Sequence, residues 1–190
     1  MSIDVRPRVA VFASGTGSNF EAMMSSDARE FDVVMLICDR PKAHVIGLAA
    51  GHGVETVVLD PEQFKSKVEY EQTILQRLKR ANVQWIVLAG YMRIIGEDIL
   101  SAYPNKIINI HPSLLPSFPG KDAVEQALEA GVKVSGVTIH YVDEGIDTGP
   151  IIAQEPVTVF PKDTVATLQQ RIQQVEHVLF TKVVNDITRR

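Results

Sequence analysis

Short apolar runs rich in valine and isoleucine alternate along the chain with longer stretches in which apolar residues recur every three to four positions. That alternation predicts an α/β protein built on a mainly parallel sheet. Strands are expected near Val9–Ala13, Asp32–Cys38, Thr56–Leu59, Trp85–Ala89, Ile107–Ile110, Ser135–Tyr141 and Ile151–Thr158. Runs that are apolar throughout, such as Trp85-Ile86-Val87-Leu88-Ala89, mark strands covered on both faces. The clearest internal helix is predicted from about Pro61 to Ala81, with Phe64, Val68, Ile74, Leu75 and Leu78 as its apolar stripe and Pro61 in its first turn. The last helix, about Thr164 to Ile187, repeats Val165, Leu168, Ile172, Val175 and Leu179. The expected architecture is a single α/β domain over residues 1–190: an open, mostly parallel, doubly wound sheet of about seven strands with helices on both faces. In such folds ligands bind outside the carboxyl ends of the strands.

The first strand ends in Ser14-Gly15-Thr16-Gly17-Ser18-Asn19-Phe20 and runs into a helix. Glycines let the backbone turn tightly, and the free N–H groups of a helix start favour an anion. A dinucleotide fingerprint would need a third glycine where Phe20 stands, and a Walker loop would need Gly-Lys-Ser/Thr, so the loop by itself predicts a phosphate-sized anion. The bland alternative is an ordinary turn capped by Ser18 or Asn19. A second segment, Ile107 to Gly120, places Asn109 and His111 on one face of a strand at its carboxyl end, just before a proline-rich exit. A carboxamide beside an imidazole can serve a developing oxyanion and a moving proton, or can be a hydrogen-bonded strand end. The third segment, Gly136 to Pro150, presents Thr138 and His140 on one strand face and then an acidic loop in which Asp147 can hold an imidazole in its productive form. Its other reading is a solvated acidic turn.

Four stretches, Ser14–Asn19, Ala89-Gly90-Tyr91-Met92-Arg93-Ile94-Ile95, Asn109–Pro116 and His140–Gly149, occur in the order found in folate-dependent formyltransferases, and over nearly its whole length the chain resembles that family, in particular its branch acting on glycinamide ribonucleotide. The resemblance implies the formyltransferase fold, with Asn109, His111 and Asp147 as the catalytic set. It implies that Gly15, Thr16, Gly17, Ser18 and Asn19 hold the ribose phosphate, with Gly90 and Pro112 near the glycinamide portion. Glu176 would meet the substrate amine and Gln173, one turn earlier, would assist. Met92, Arg93, Ile94, Ile95, His140, Asp143, Glu144, Gly145 and Ile146 would line the folate pocket, with 10-formyltetrahydrofolate as co-substrate. Lys67 stands where some members carry an arginine that reaches the folate, and offers a point charge instead of a fork. Lys121-Asp122 replaces a histidine of some relatives, so no role transfers there. The implied reaction moves a formyl group from 10-formyltetrahydrofolate to the amine of glycinamide ribonucleotide in purine biosynthesis.

Composition narrows the partners. The 190 residues carry 19 Lys plus Arg against 23 Asp plus Glu, a net charge of −4. That balance argues against nucleic-acid and anionic-membrane binding while leaving a phosphate held by backbone N–H groups. A single cysteine, Cys38, in an apolar run, is expected as a buried core thiol and points to a reducing cytoplasm. The segment Met1–Arg8 has no apolar region of a signal peptide. His44, His52, His111, His140 and His177 lack metal-binding spacing, so no metal is expected, and His44 and His52 are expected as ordinary surface positions. Among relatives, the extra C-terminal domain of methionyl-tRNA formyltransferases and the N-terminal regulatory domain of formyltetrahydrofolate hydrolases are not expected in this length. Sugar-amine formyltransferases are the nearest alternative, against which the glycine loop and Glu176 favour the ribonucleotide. A non-catalytic phosphate-binding module would leave Asn109, His111 and Asp147 unexplained. A homodimer is compatible with the resemblance.

Overall fold

A computed structural model describes residues 6–189; most of the N-terminal reading over Met1–Arg8, and Arg190, lie outside the described residues. Seven strands form one sheet in the order β3-β2-β1-β4-β5-β6-β7: β1 (Arg8–Ala13), β2 (Asp32–Cys38), β3 (Glu55–Val58), β4 (Trp85–Leu88), β5 (Ile107–His111), β6 (Val134–Tyr141) and β7 (Ile151–Thr158). The pairings from β3 through β5 are parallel, and β6 and β7 add as antiparallel strands at one side. The connections leave β1 in one direction to β2 and return on its other side at β4, which opens a crevice at the carboxyl ends of β1 and β4.

Alternate residues of the central strands feed two cores. On one face Val9, Val11 and Val87 pack with α1 (Ser18–Met24), α2 (His44–Gly51), α5 (Ala123–Glu129) and α6 (Val165–Thr188), through Phe20, Val45, Val124 and Ile172. On the other, Ala10, Phe12 and Ile86 pack with α3 (Lys67–Arg80) and α4 (Glu97–Ala102), through Tyr70, Ile74, Leu78 and Ile99. The double coverage explains why the strand runs are apolar without alternation. Cys38 is fully buried, and burial pushes its thiol up, as befits a core residue.

The helix expected over Pro61–Ala81 is two pieces. Pro61–Gln63 make one 3-10 turn capped by Asp60, Phe64 is extended, and α3 begins only at Lys67. The cause is a second cap: Ser66 Oγ accepts from Glu69 N–H, while Glu69 Oε2 accepts from Lys65 N–H. The long C-terminal helix follows its pattern, started by Thr164, whose hydroxyl accepts from Thr167 N–H and whose own N–H donates to Thr167 Oγ1. No helix among the described residues is long and apolar enough to cross a membrane.

Candidate active site

A cleft of about 1000 Å³ lies at the carboxyl ends of β1, β4 and β5 and under the loop after β6. Ser14 stitches its first two walls together: its N–H donates to Gly90 O at 3.0 Å and its Oγ accepts from Met92 N–H at 2.9 Å. At one end sits the glycine loop. Gly17 adopts φ 79°, and a Cβ there would lie 2.6 Å from Val45 Cγ2, so both conformation and space require glycine. Among the described residues none of the N–H groups from Gly15 to Asn19 donates to a protein acceptor, leaving a set of backbone donors for an anion.

At the other end, strand register builds the reacting cluster. Asn109 on β5 lies directly opposite His140 on β6, and His111 opposite Thr138. The β6–β7 register shifts between Ile139 and His140, a local irregularity beside the site. Asp147, from the loop after β6, reaches Asn109 and both histidines: Oδ2 is 3.3 Å from His111 Nδ1, and Oδ1 is 3.3 Å from Asn109 Nδ2 and 3.5 Å from His140 Nε2. Gly120 N–H donates to Oδ2 at 2.8 Å. Burial pushes the Asp147 carboxyl up, but hydrogen bonds from His140 and Gly120 and the charges of His111 and His140 outweigh it and hold the group below the usual carboxylate value.

The histidine orientations follow from acceptors that can only accept. His111 Nε2 donates to Phe118 O at 2.8 Å, which turns Nδ1 toward Asp147. His140 Nδ1 donates to Tyr141 O at 2.8 Å, leaving Nε2 3.2 Å from Asn109 Nδ2: a neutral ring accepts there, and a protonated one donates to Asp147. Phe118 and Asp147 both hold φ 55°, the left-handed region, so two non-glycine residues of unusual backbone flank His111. The segment between His111 and Phe118 is pinned by Thr138. Its buried hydroxyl donates to Ser113 O at 2.7 Å and accepts from Leu115 N–H at 3.0 Å and Gln154 Nε2 at 2.9 Å. Ser113 Oγ in turn donates to Ser117 O and Phe118 O, fixing the carbonyl that orients His111.

Glu176 on α6 is 6 % exposed and accepts from Asn19 Nδ2 at 3.0 Å, so it is no surface helix charge. Burial pushes its carboxyl up, and the Asn19 bond offsets part of that rise. Asn19 Oδ1 is buried without a partner among the described residues. Exposed Met92, Ile94 and Ile146 face the cleft as an apolar wall. Arg93 lies over the Tyr70 ring, whose hydroxyl meets that of Tyr91 at 2.7 Å.

The structure gathers Gly15, Thr16, Gly17, Ser18, Asn19, Gly90, Met92, Arg93, Ile94, Ile95, Asn109, His111, Pro112, His140, Asp143, Gly145, Ile146, Asp147, Gln173 and Glu176 around this one cleft. Lys67 and Glu144 do not line it. Lys67 Nζ instead lies 3.6 Å from Glu71 Oε1, one turn along α3. Asp143 spends Oδ1 on Gly145 N–H and Thr148 Oγ1, shaping its loop. Four residues to which the sequence assigns no role also contribute. Glu71, 4 % exposed, accepts from Gly96 N–H at 2.8 Å and anchors the wall after β4, which no local pattern announces. Gln169 lines the cleft with Gln173 and Glu176, and their spacing of four and three along α6 is the signal that could have found it. Lys121 and Asp122 line the cleft although no role was carried to them.

Residues 7–184 match the formyl transferase family, and the chain belongs to it. The phosphoribosylglycinamide formyltransferase of Bacillus subtilis is 49% identical over 183 residues, covering 95% of this chain and 94% of that one. The crystal structure of glycinamide ribonucleotide transformylase 1 from Geobacillus kaustophilus, 50% identical, superposes with a TM-score of 0.94 over 96% of this chain and 99% of that one. The human trifunctional purine biosynthetic protein adenosine-3 is 43% identical over 182 residues, 92% of this chain but 18% of that protein.

Proposed function

We propose that this protein transfers the formyl group of 10-formyltetrahydrofolate to the primary amine of glycinamide ribonucleotide, releasing tetrahydrofolate, as a step of purine biosynthesis. The observation that carries the reading is the junction of Asp147 with Asn109 and His111 at one end of a cleft whose other end is a set of free backbone N–H groups. One end suits chemistry on a carbonyl, and the other suits the phosphate of its acceptor. The names of the relatives, which specify the glycinamide ribonucleotide, support the acceptor.

The apolar wall of Met92, Ile94 and Ile146 fits a flat heteroaromatic ring, and Arg93 on the same wall suits an anionic tail. The folate supplies an activated one-carbon unit. As the amine attacks, negative charge develops on the formyl oxygen. His111, whose Nε2 hydrogen stays on Phe118 O, turns Nδ1 to that oxygen from its long 3.3 Å contact with Asp147, and Asn109 turns one amide hydrogen to it from its own 3.3 Å contact with the same carboxylate. Each such donor contributes on the order of 10²–10³ in rate. Asp147, through water, carries the amine proton toward the departing nitrogen. Glu176, presented by α6 and steadied by Asn19, orients the amine-bearing substrate.

An absorbance assay of formylfolate consumption with glycinamide ribonucleotide, run beside a sugar amine, tests the reading. Formylation of the ribonucleotide is expected, and formylation of the sugar amine alone would overturn the acceptor.

A further inference from the structure

The first turn of α2 packs directly beneath the glycine loop. Val45 N–H donates to Gly15 O at 3.1 Å, and His44 Nδ1 stands 3.0 Å from Thr16 O. Gly17 lies against Val45 and Leu48 so closely that any side chain would collide with them. A carbonyl oxygen can only accept, so His44 Nδ1 carries the hydrogen of its pair. In a planar trans peptide the C=O and the following N–H point in opposite directions. Each pinned carbonyl therefore aims the next N–H. Gly15 O, held on α2, turns Thr16 N–H away from α2; Thr16 O, held by His44, does the same for Gly17 N–H. Both residues line the cleft, and neither N–H has a protein acceptor among the described residues.

The second peptide is the vulnerable one. Gly17 tolerates φ of either sign, so the Thr16–Gly17 plane can rotate at small steric cost and show an arriving anion an oxygen in place of a hydrogen. Val45 N–H holds the preceding plane with backbone alone, whereas the Thr16–Gly17 plane depends on a side chain. We infer that His44 is a positioning residue for substrate binding: its ring locks the Thr16–Gly17 peptide so that Gly17 N–H faces the substrate phosphate. This rests on the loop being the phosphate site, as proposed above.

The test compares steady-state kinetics of the parent enzyme, His44→Leu and His44→Asn, each with glycinamide ribonucleotide and with its dephosphorylated riboside. Leucine keeps bulk and removes the donor, while asparagine places an N–H at the same distance along the side chain. His44→Leu is expected to raise KM for the ribonucleotide by about threefold to tenfold, the loss of one hydrogen bond. Its kcat, its KM for the formylfolate and its use of the riboside should stay within about twofold of the parent. His44→Asn should restore the ribonucleotide KM. An unchanged KM in His44→Leu, or a His44→Asn variant as impaired as the leucine one, would overturn the inference. A parent enzyme that uses riboside and ribonucleotide equally well would overturn the phosphate site itself, and this inference with it.

Discussion

Asp147 Oδ2 lies 3.3 Å from His111 Nδ1, and the same oxygen accepts from Gly120 N–H at 2.8 Å. One carboxylate thus joins the strand that carries the imidazole to the loop that orients it, because Phe118, two residues before Gly120, supplies the carbonyl bound to His111 Nε2. The pair acts as a unit: the carbonyl turns the ring through Nε2, and the carboxylate faces Nδ1.

Replacing Asp147 with asparagine keeps the shape and removes the charge. The amide presents one acceptor where the carboxylate presented two oxygens to Asn109, His111, His140 and Gly120, so two of the four contacts lose their acceptor. Turnover should fall by roughly 10²–10⁴ while circular dichroism stays that of the parent. Near-normal kcat would reject the role.

The same group makes stability depend on pH. The native carboxyl is held below its ordinary value, so between that native value and about 3.9 the unfolded chain binds more protons. Its contribution is complete above about pH 4 and is lost as the pH falls through the lowered native value. Urea denaturation of the parent and Asp147→Asn from pH 6 to 3 should show the parent's advantage shrinking below about pH 4. A constant difference at every pH would contradict this.

Glu176 has the opposite sign. Burial raises its native value, so the folded state binds the proton more tightly and stability declines as the pH rises through the window above about 4.3. Glu176→Gln retains an acceptor for Asn19 Nδ2 without the buried charge. Its Tm relative to the parent should climb from pH 4.5 to pH 8, by about 2–4 °C for each kcal/mol relieved, while KM for the amine substrate rises. Parallel Tm curves would show that the carboxylate is not destabilising.

Gly17→Ala strains a φ of 79° and places a methyl against Val45 and Leu48. Destabilisation of about 1–3 kcal/mol is expected, with a raised KM for glycinamide ribonucleotide and an unaltered KM for the formylfolate. Gly15→Ala meets nothing within 4 Å and should change stability by no more than about 0.5 kcal/mol. Equal stability losses in the two variants would place the cause elsewhere than in the local packing.

Much of this protein is legible along the chain, because hydrophobic period and glycine punctuation are local properties. Doubly covered strands read as unbroken apolar runs, the anion loop reads as glycines between strand and helix, and the two-residue period of β5 puts Asn109 and His111 on one face. The break before α3 was also written locally, in Ser66 and Glu69, but a strong apolar stripe concealed it. Tertiary structure alone decided which loops and helices meet which side chains. His111 takes its orientation from a carbonyl held by Ser113, and Glu176 becomes buried because α6 folds 157 residues back onto Asn19. His44, exposed as expected, lands on Thr16. The physical reason is common to all three. A sequence pattern states which side of an element is apolar, whereas the partner of a hydrogen bond depends on how two elements are set against each other by the packing of the whole sheet.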